Sequence, residues 1–278
     1  MSINITQQYI QQQVQLALAE DIGSGDVTAK LIPAEQQAHA QVISRDKAVL
    51  CGRQWFDEVF NQLDASISLD WKCDDGDHLQ ANQLICELQG PARSILSGER
   101  AALNFLQTLS GTATAAHQYV EAIKGTSCRI LDTRKTIPNL RLAQKYAVSC
   151  GGAMNHRVGL YDAILIKENH IAAAGSITIA IQQAQTHAPD LLLEVEVENL
   201  AQLKEAIAAG AQRALLDNMD ADMLRQAVSI NQGQLELEAS DGIGLTNIRE
   251  IAETGVDYIS VGSITKHLHA VDLSMRFI

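Results

Sequence analysis

The sequence predicts an α/β protein: a small sheet-containing unit near the N-terminus, then a larger unit of parallel strands with helices outside them. Three observations carry that prediction. Beyond residue 128, six short apolar runs recur, "CRILDT", "DAILIK", "LLLEVEV", "RALLD", "LELEAS" and "YISVGS", with helical segments between them. The later intervals are roughly 22 residues, the length of one βα unit. From "AQVISRDKAVLCG" to "HLQANQLICELQGP", by contrast, apolar and polar residues alternate in short runs broken by turn signals. Six successive βα units imply a parallel sheet. Closure into a barrel is its economical form, and an open doubly wound sheet is the alternative.

The elements follow in order. "ITQQYIQQQVQLALAED" places Ile10, Val14, Ala17 and Leu18 at helical spacing, with the glutamines on a solvated face. After the alternating region a helix is expected from about Ser94 to Leu109. Further on, "NLAQLKEAIAAG" ends in Gly210, "DADMLRQAVSI" opens on an Asp cap, and "LTNIREIAETG" ends in Gly255, all expected helix punctuation.

Composition narrows the function. A net charge of −12 disfavours a nucleic-acid or anionic-membrane partner, since both select basic surfaces. No apolar run is long enough to span a bilayer, and the first residues lack a signal-peptide pattern. The five cysteines include no C-x-x-C pair, which fits reduced thiols in the cytoplasm and makes zinc a poor expectation.

Chemistry is expected at the C-terminal ends of the strands. Those ends carry Thr133-Arg134-Lys135, Lys167, Glu196, Asp217, Ser240 and Gly262-Ser263, nearly all polar or charged. Residues 129–170 hold seven Arg or Lys against three acids, a local excess of positive charge in an acidic chain, with "NHR" adding His156 beside Arg157. Guanidinium binds carboxylates and phosphates bidentately and lysine supplies a point charge, so a small polyanion is the expected ligand. In "LEVEVE", Glu194, Glu196 and Glu198 share one strand face and are expected to point inward, either wet or satisfied by cations. Glu196 and Asp217 are suited to orienting ribose hydroxyls or holding Mg²⁺ indirectly. Arg100 interrupts the apolar side of its helix, either snorkelling from the core edge or reaching into another subunit. No P-loop, no third glycine in "GIGLTN" and no H-E-x-x-H is present.

The blocks "DTRKTIP", "GGAMNHRVGLYDAILIKENHI", "EVEVENLAQLKEAIAAG" and "ETGVDYISVGSIT" closely resemble quinolinate phosphoribosyltransferase, also called nicotinate-nucleotide pyrophosphorylase (carboxylating). "EDIGSGDVT" and "LSGERAALNFLQTLSGTAT" extend the likeness over nearly the whole chain. The resemblance implies an N-terminal α/β sandwich-like domain over residues 1–110 and an incomplete, open α/β barrel over 111–271, with the tail 272–278 returning to the first domain. It implies transfer of a phosphoribosyl group from phosphoribosyl pyrophosphate to quinolinate with loss of CO₂, in de novo NAD synthesis, with Mg²⁺. It further implies a homodimer, or a hexamer of dimers, sharing Arg100 across the interface. By position, Arg100, Thr133, Arg134, His156, Arg157 and Lys167 are the quinolinate set. Lys135, Lys167, Glu196, Asp217, Ser240, Gly242, Gly262 and Ser263 are the phosphoribosyl pyrophosphate set, with Lys135, Glu196 and Asp217 catalytic. Ser240-Asp241-Gly242 departs from the family's Ser-Gly-Gly or Ser-Gly-Asn, and Asp241 is expected to point away from phosphate. The rivals are a paralogous phosphoribosyltransferase acting on another anionic ring, a barrel aldolase with a Schiff base on Lys167 or Lys135, and a non-enzymatic anion-binding protein.

Overall fold

The computed structural model describes Ile3 and residues 5–278. The chain runs α1 (Gln7–Ile22), β1 (Gln37–Ser44), β2 (Ala48–Val49), α2 (Arg53–Leu63), β3 (Ser68–Trp71), β4 (His78–Leu79), β5 (Leu84–Pro91) and α3 (Ala92–Ala122). Next come β6 (Arg129–Leu131), α4 (Arg141–Cys150), β7 (Ile164–Ile166), α5 (Glu168–Ala174), α6 (Ile177–His187), β8 (Leu193–Val197) and α7 (Leu200–Ala208). The last elements are β9 (Arg213–Asp217), α8 (Ala221–Asn231), β10 (Glu236–Ser240), α9 (Ile248–Ala252), β11 (Tyr258–Ser260), α10 (Ser263–Lys266) and β12 (Leu273–Phe277).

Two compact units form. One runs to His117 and adds Leu142–Gly152 and His267–Ile278; the other comprises Gln118–Arg141 and Ala153–Lys266. The sequence places the break at residues 110 and 111; the compact units divide seven residues later, and most of α4 belongs to the first.

The first unit is built on an antiparallel sheet in the order β12-β1-β5-β3, so the C-terminal strand pairs with the first one. Thr6 caps α1 by accepting the Tyr9 N–H, and Ile10, Val14 and Leu18 form its buried stripe. On α2, Phe56 packs edge-on against Phe60 and Trp71. Helix α3 runs well past the expected stop at Leu109. The stretch "SGTAT" looks like a helix breaker, yet Thr112 and Thr114 donate their hydroxyls to the carbonyls of Thr108 and Ser110 one turn back, which the helix tolerates. Gly111 is required there by close packing. A Cβ on it would stand 2.2 Å from His269 O, a backbone atom unable to swing aside. Gly111→Ala is therefore expected to destabilise the protein by about 1–3 kcal/mol in denaturant titrations, as overpacked positions do.

The second unit holds a six-stranded parallel sheet in the order β6-β11-β10-β9-β8-β7. All six apolar runs of the sequence are its strands, and β6 and β7 are its two ends, which makes it an open α/β barrel. Its helices start where the sequence signals them: Asn199 caps α7 and Asp220 caps α8 through side-chain oxygens that accept backbone N–H groups. Register then sorts the strand faces. Val195, Ala214, Leu237 and Ala239 are buried on one face, while Glu194, Arg213 and Glu236 align across neighbouring strands on the other, as do Glu196, Leu215 and Glu238, and then Asp217 with Ser240. Charged residues thus fill the interior in layers, rising towards the C-terminal strand ends.

Candidate active site

A cavity of about 380 Å³ opens at those strand ends, lined by Thr133, Arg134, Lys135, His156, Arg157, Leu165, Lys167, Glu196, Leu215, Asp217, Glu238, Ser240, Asp241 and Ser260. Nine of the sequence-derived positions are therefore brought together: Thr133, Arg134, Lys135, His156, Arg157, Lys167, Glu196, Asp217 and Ser240. The positive excess of residues 129–170 divides by role. Arg134, Lys135, Arg157 and Lys167 line the cavity. Arg141 instead braces the loop beneath them, donating to Thr136 Oγ1 at 3.1 Å, Val158 O at 3.1 Å and Arg134 O at 3.3 Å. Arg129 begins its strand, at the opposite end, and Lys145 is fully buried in α4 of the first unit.

Each cation is held locally. Thr133 Oγ1 accepts the Lys135 N–H at 3.1 Å, and Thr265 Oγ1 donates to Lys135 O at 2.9 Å, fixing the turn after β6. Lys167 follows β7 and forms an ion pair with Glu196 on the neighbouring strand. Arg134 Nε is buried without a hydrogen-bond partner, a donor that a substrate oxygen would satisfy. Burial, and then the adjacent charge of Arg134, hold the Arg157 guanidinium below its ordinary pKa.

Beneath the cations lies an acidic floor. Asp132, fully buried, accepts the His156 N–H and an Asn155 side-chain N–H at 2.8 Å each, so it shapes the "NHR" segment. His156 Nδ1 accepts the Arg157 N–H at 2.7 Å, and its Nε2 stands 2.9 Å from Glu194 Oε2 and 3.5 Å from Glu238 Oε2. Both ring nitrogens are thus engaged inside the protein, and the ring sits on the cavity floor. Arg213 donates twice to Glu236 and reaches within 3.6 Å of Glu238. Burial pushes the Glu238 carboxyl up to about 8, with the Glu194 charge adding to the effect. Burial likewise pushes Glu194 up to about 7, opposed by Arg213. Glu194 meets His156 through Oε2 and feels the charge of Arg213, while its Oε1 is buried without a hydrogen-bond partner; Glu198 is exposed.

At the rim, burial raises Glu196 and Asp217 above the usual carboxylate range, and the Asp241 charge raises Asp217 further. Positive φ values at Asp241 (67°) and Gly242 (65°) turn the chain sharply after β10, and exposed Asp241 stands between this cavity and a neighbouring one, lining both. Gly242, Gly262 and Ser263 are not among the lining residues. Gly242 lines a neighbouring cavity with Asp220, Asp222 and Glu250. A Cβ on Gly262 would come within 3.0 Å of Lys135 Cδ, so this glycine gives that side chain room. The Ser263 hydroxyl is 2.9 Å from the Tyr119 hydroxyl. Arg100 is exposed on α3 in the first unit.

Sequence reasoning missed Asp132, Glu238, Ser260 and the bracing Arg141. Glu238 carried a usable signal, because "LELEAS" repeats the alternation of "LEVEVE".

An open α/β barrel with four cations and a carboxylate rim converging at its strand tips defines a class: a barrel protein built to hold small anionic substrates. Family models refine that class. Residues 112–276 match the quinolinate phosphoribosyl transferase C-terminal domain and residues 26–110 its N-terminal domain. The chain belongs to the quinolinate phosphoribosyl transferase family. It is 43% identical to a probable nicotinate-nucleotide pyrophosphorylase [carboxylating] of Bacillus subtilis, over 92% of this chain and 89% of that one. It is 36% identical to quinolinate phosphoribosyltransferase [decarboxylating] 1b of Nicotiana tabacum, over 95% and 81%. The solved nicotinate-nucleotide pyrophosphorylase of Francisella tularensis superposes with a TM-score of 0.97 at 47% identity, covering 99% of this chain and 98% of that one.

Proposed function

We infer that this cavity joins quinolinate to the ribose of phosphoribosyl pyrophosphate and releases CO₂. The protein is a decarboxylating pentosyltransferase of de novo NAD biosynthesis by family, and its products are nicotinate mononucleotide, pyrophosphate and CO₂. The observation that carries the assignment of roles is the convergence of Arg134, Lys135, Arg157 and Lys167 on one cavity.

Quinolinate brings two carboxylates. Arg134 and Arg157 bind them, and the Thr133 hydroxyl assists. His156 acts beneath them as a positioning residue, because its two nitrogens hold the Arg157 backbone and Glu194. Lys135 and Lys167 face the phosphates, with Ser240, Gly242, Gly262 and Ser263 on the loops around them. The pyridine nitrogen attacks the anomeric carbon as pyrophosphate departs. Glu196 and Asp217 stabilise the positive charge that develops on the sugar. The alkylated ring then takes the electron pair from the C–CO₂⁻ bond, and the vacated ring carbon takes up a proton.

The acids at the rim fit a hydrated Mg²⁺. Asp217 is raised by burial and by a neighbouring carboxylate, the electrostatics of an acid pair that favours a cation. Glu196 and Asp217 would then act on the ion through its water shell. When bound there, Mg²⁺ supplies charge neutralisation to the leaving pyrophosphate. Pyrophosphate release is expected to fall at least tenfold when EDTA removes Mg²⁺. Unchanged turnover would refute the metal requirement.

Arg100 belongs, in this reading, to a site completed by a second copy of the chain, as a homodimer or a hexamer of dimers. Mixing Arg100→Ala with Arg157→Ala chains is expected to restore part of the activity, measured as pyrophosphate release. Proven heterodimers without rescue would contradict sharing. The reading also places the enzyme in the cytoplasm, which the five free thiols support. Among the described residues no helix is long and apolar enough to cross a membrane.

A further inference from the structure

Cys51 and Cys150 belong to the first unit and lie outside the cavity described above. Cys51 is fully buried between β2 and Gly52. Its backbone is fastened to α3 twice: its N–H donates to Ser110 Oγ at 2.9 Å, and the Ser110 hydroxyl lies within reach of its carbonyl at 3.2 Å. Cys150 ends α4 and is half-buried. The next residue, Gly151, packs so tightly that a Cβ on it would stand 2.3 Å from Ala113 O and 2.7 Å from Ala116 Cβ, both on α3. One helix therefore holds both thiols in place.

The two Sγ atoms and a carboxylate oxygen of Asp75 all lie within 4.8 Å of one another. Asp75 is immobilised by three hydrogen bonds. Its Oδ1 accepts the N–H groups of Gly52 and Arg53 at 3.0 and 3.2 Å, and its Oδ2 accepts the Tyr146 hydroxyl at 2.9 Å. Asp75 Oδ2 accepts one hydrogen bond, from Tyr146, and keeps lone-pair capacity to take a proton from a neighbouring thiol. The two sulfurs are also unequal. The Cys51 thiol beside it holds Cys150 below its ordinary pKa, whereas burial drives Cys51 well above its own. Cys86 and Cys128 are pushed up to about 12 by burial and offer little thiolate.

We propose that Cys51 and Cys150 form a redox-modification site, which a peroxide oxidises to an intramolecular disulfide. The half-buried Cys150 thiolate attacks hydrogen peroxide; the S–O bond forms as the O–O bond breaks, leaving a sulfenic acid and, after proton uptake, water. Cys51 then gives its proton to Asp75 and its sulfur attacks the sulfenic sulfur. The S–S bond forms, the S–O bond breaks, and the departing hydroxide recovers the proton as a second water. Two thiols and one peroxide become one disulfide and two waters: the sulfurs are oxidised and the peroxide is reduced. A dithiol reductant reverses the modification.

The test treats the full-length protein with equimolar hydrogen peroxide, alkylates all remaining thiols under denaturing conditions, and maps peptides by mass spectrometry. The expected result is a Cys51–Cys150 crosslink that dithiothreitol abolishes, formed roughly tenfold or more faster than oxidation of Cys73, Cys86 or Cys128. In Cys51→Ser, Cys150 is expected to stop as a sulfenic acid trapped by dimedone, and in Cys150→Ser, Cys51 is expected to stay a thiol. Should either variant fail to fold, a wild-type time course in which dimedone capture at Cys150 precedes the crosslink provides the same check. Absence of the crosslink, or oxidation of Cys150 no faster than that of Cys86 and Cys128, overturns the proposal.

Discussion

Replacing Arg157 by alanine is expected to lower kcat/KM for quinolinate roughly 30- to 4,000-fold. The estimate follows from the cost of removing one partner of a desolvated charge pair, about 2–5 kcal/mol, at 1.4 kcal/mol per factor of ten. Arg157 lines the cavity beside Arg134, and partial burial already disfavours its charged form, so a carboxylate arriving there relieves the electrostatic cost. The fold should survive the change, because the backbone N–H that holds His156 Nδ1 remains. Arg157→Lys is expected to recover only a small part of the loss, since an ammonium cannot grip a carboxylate bidentately. Steady-state kinetics with a thermal melt as control decide the matter. A folded Arg157→Ala enzyme within threefold of wild type would remove Arg157 from the site.

The second large effect concerns stability against pH. Glu238 is fully buried and its carboxyl is raised from 4.5 to about 8, with Glu194 raised from 4.5 to about 7 beside it. The folded protein therefore binds these protons more tightly than the unfolded chain does. The stability they contribute is fully present below pH about 4.5 and is lost as pH rises through about 7 to 8. Glu238→Gln keeps the shape and cannot acquire the charge. The variant should match wild type near pH 5 and exceed it at pH 8.5, by an amount on the order of 2–4 kcal/mol. Melting temperatures across that range provide the measurement. Parallel curves for the two proteins would show that Glu238 does not titrate as described.

Much of this architecture was legible in the sequence because periodicity and physics coincide in a parallel barrel. A strand buried on its helix-facing side announces itself as a short apolar run, and the residue that ends it announces the chemistry. Thus Lys167, Asp217 and Ser240 could be placed at strand ends from the chain alone, and the structure puts all three on one cavity. The failures share a cause too. The stretch around Gly111 looked like a helix end because its necessity comes from the His269 backbone, far away in sequence. Arg141 added to a local charge count, yet it spends its donors on the loop's own oxygens. The left-handed turn at Asp241 and Gly242 is a backbone feature that charge arguments about Asp241 do not reach. Glu238 and the contact between Cys51 and Cys150 depend on register and tertiary packing, which no local pattern encodes.

On the proposed reading, the cations gathered at the mouth of the barrel select a ring bearing two carboxylates. Pyrophosphate release from phosphoribosyl pyrophosphate, measured with quinolinate and with nicotinate side by side in the presence of Mg²⁺, tests it most directly. Release with quinolinate alone, matched mole for mole by CO₂, is the predicted result. Turnover of nicotinate at a comparable rate would contradict it.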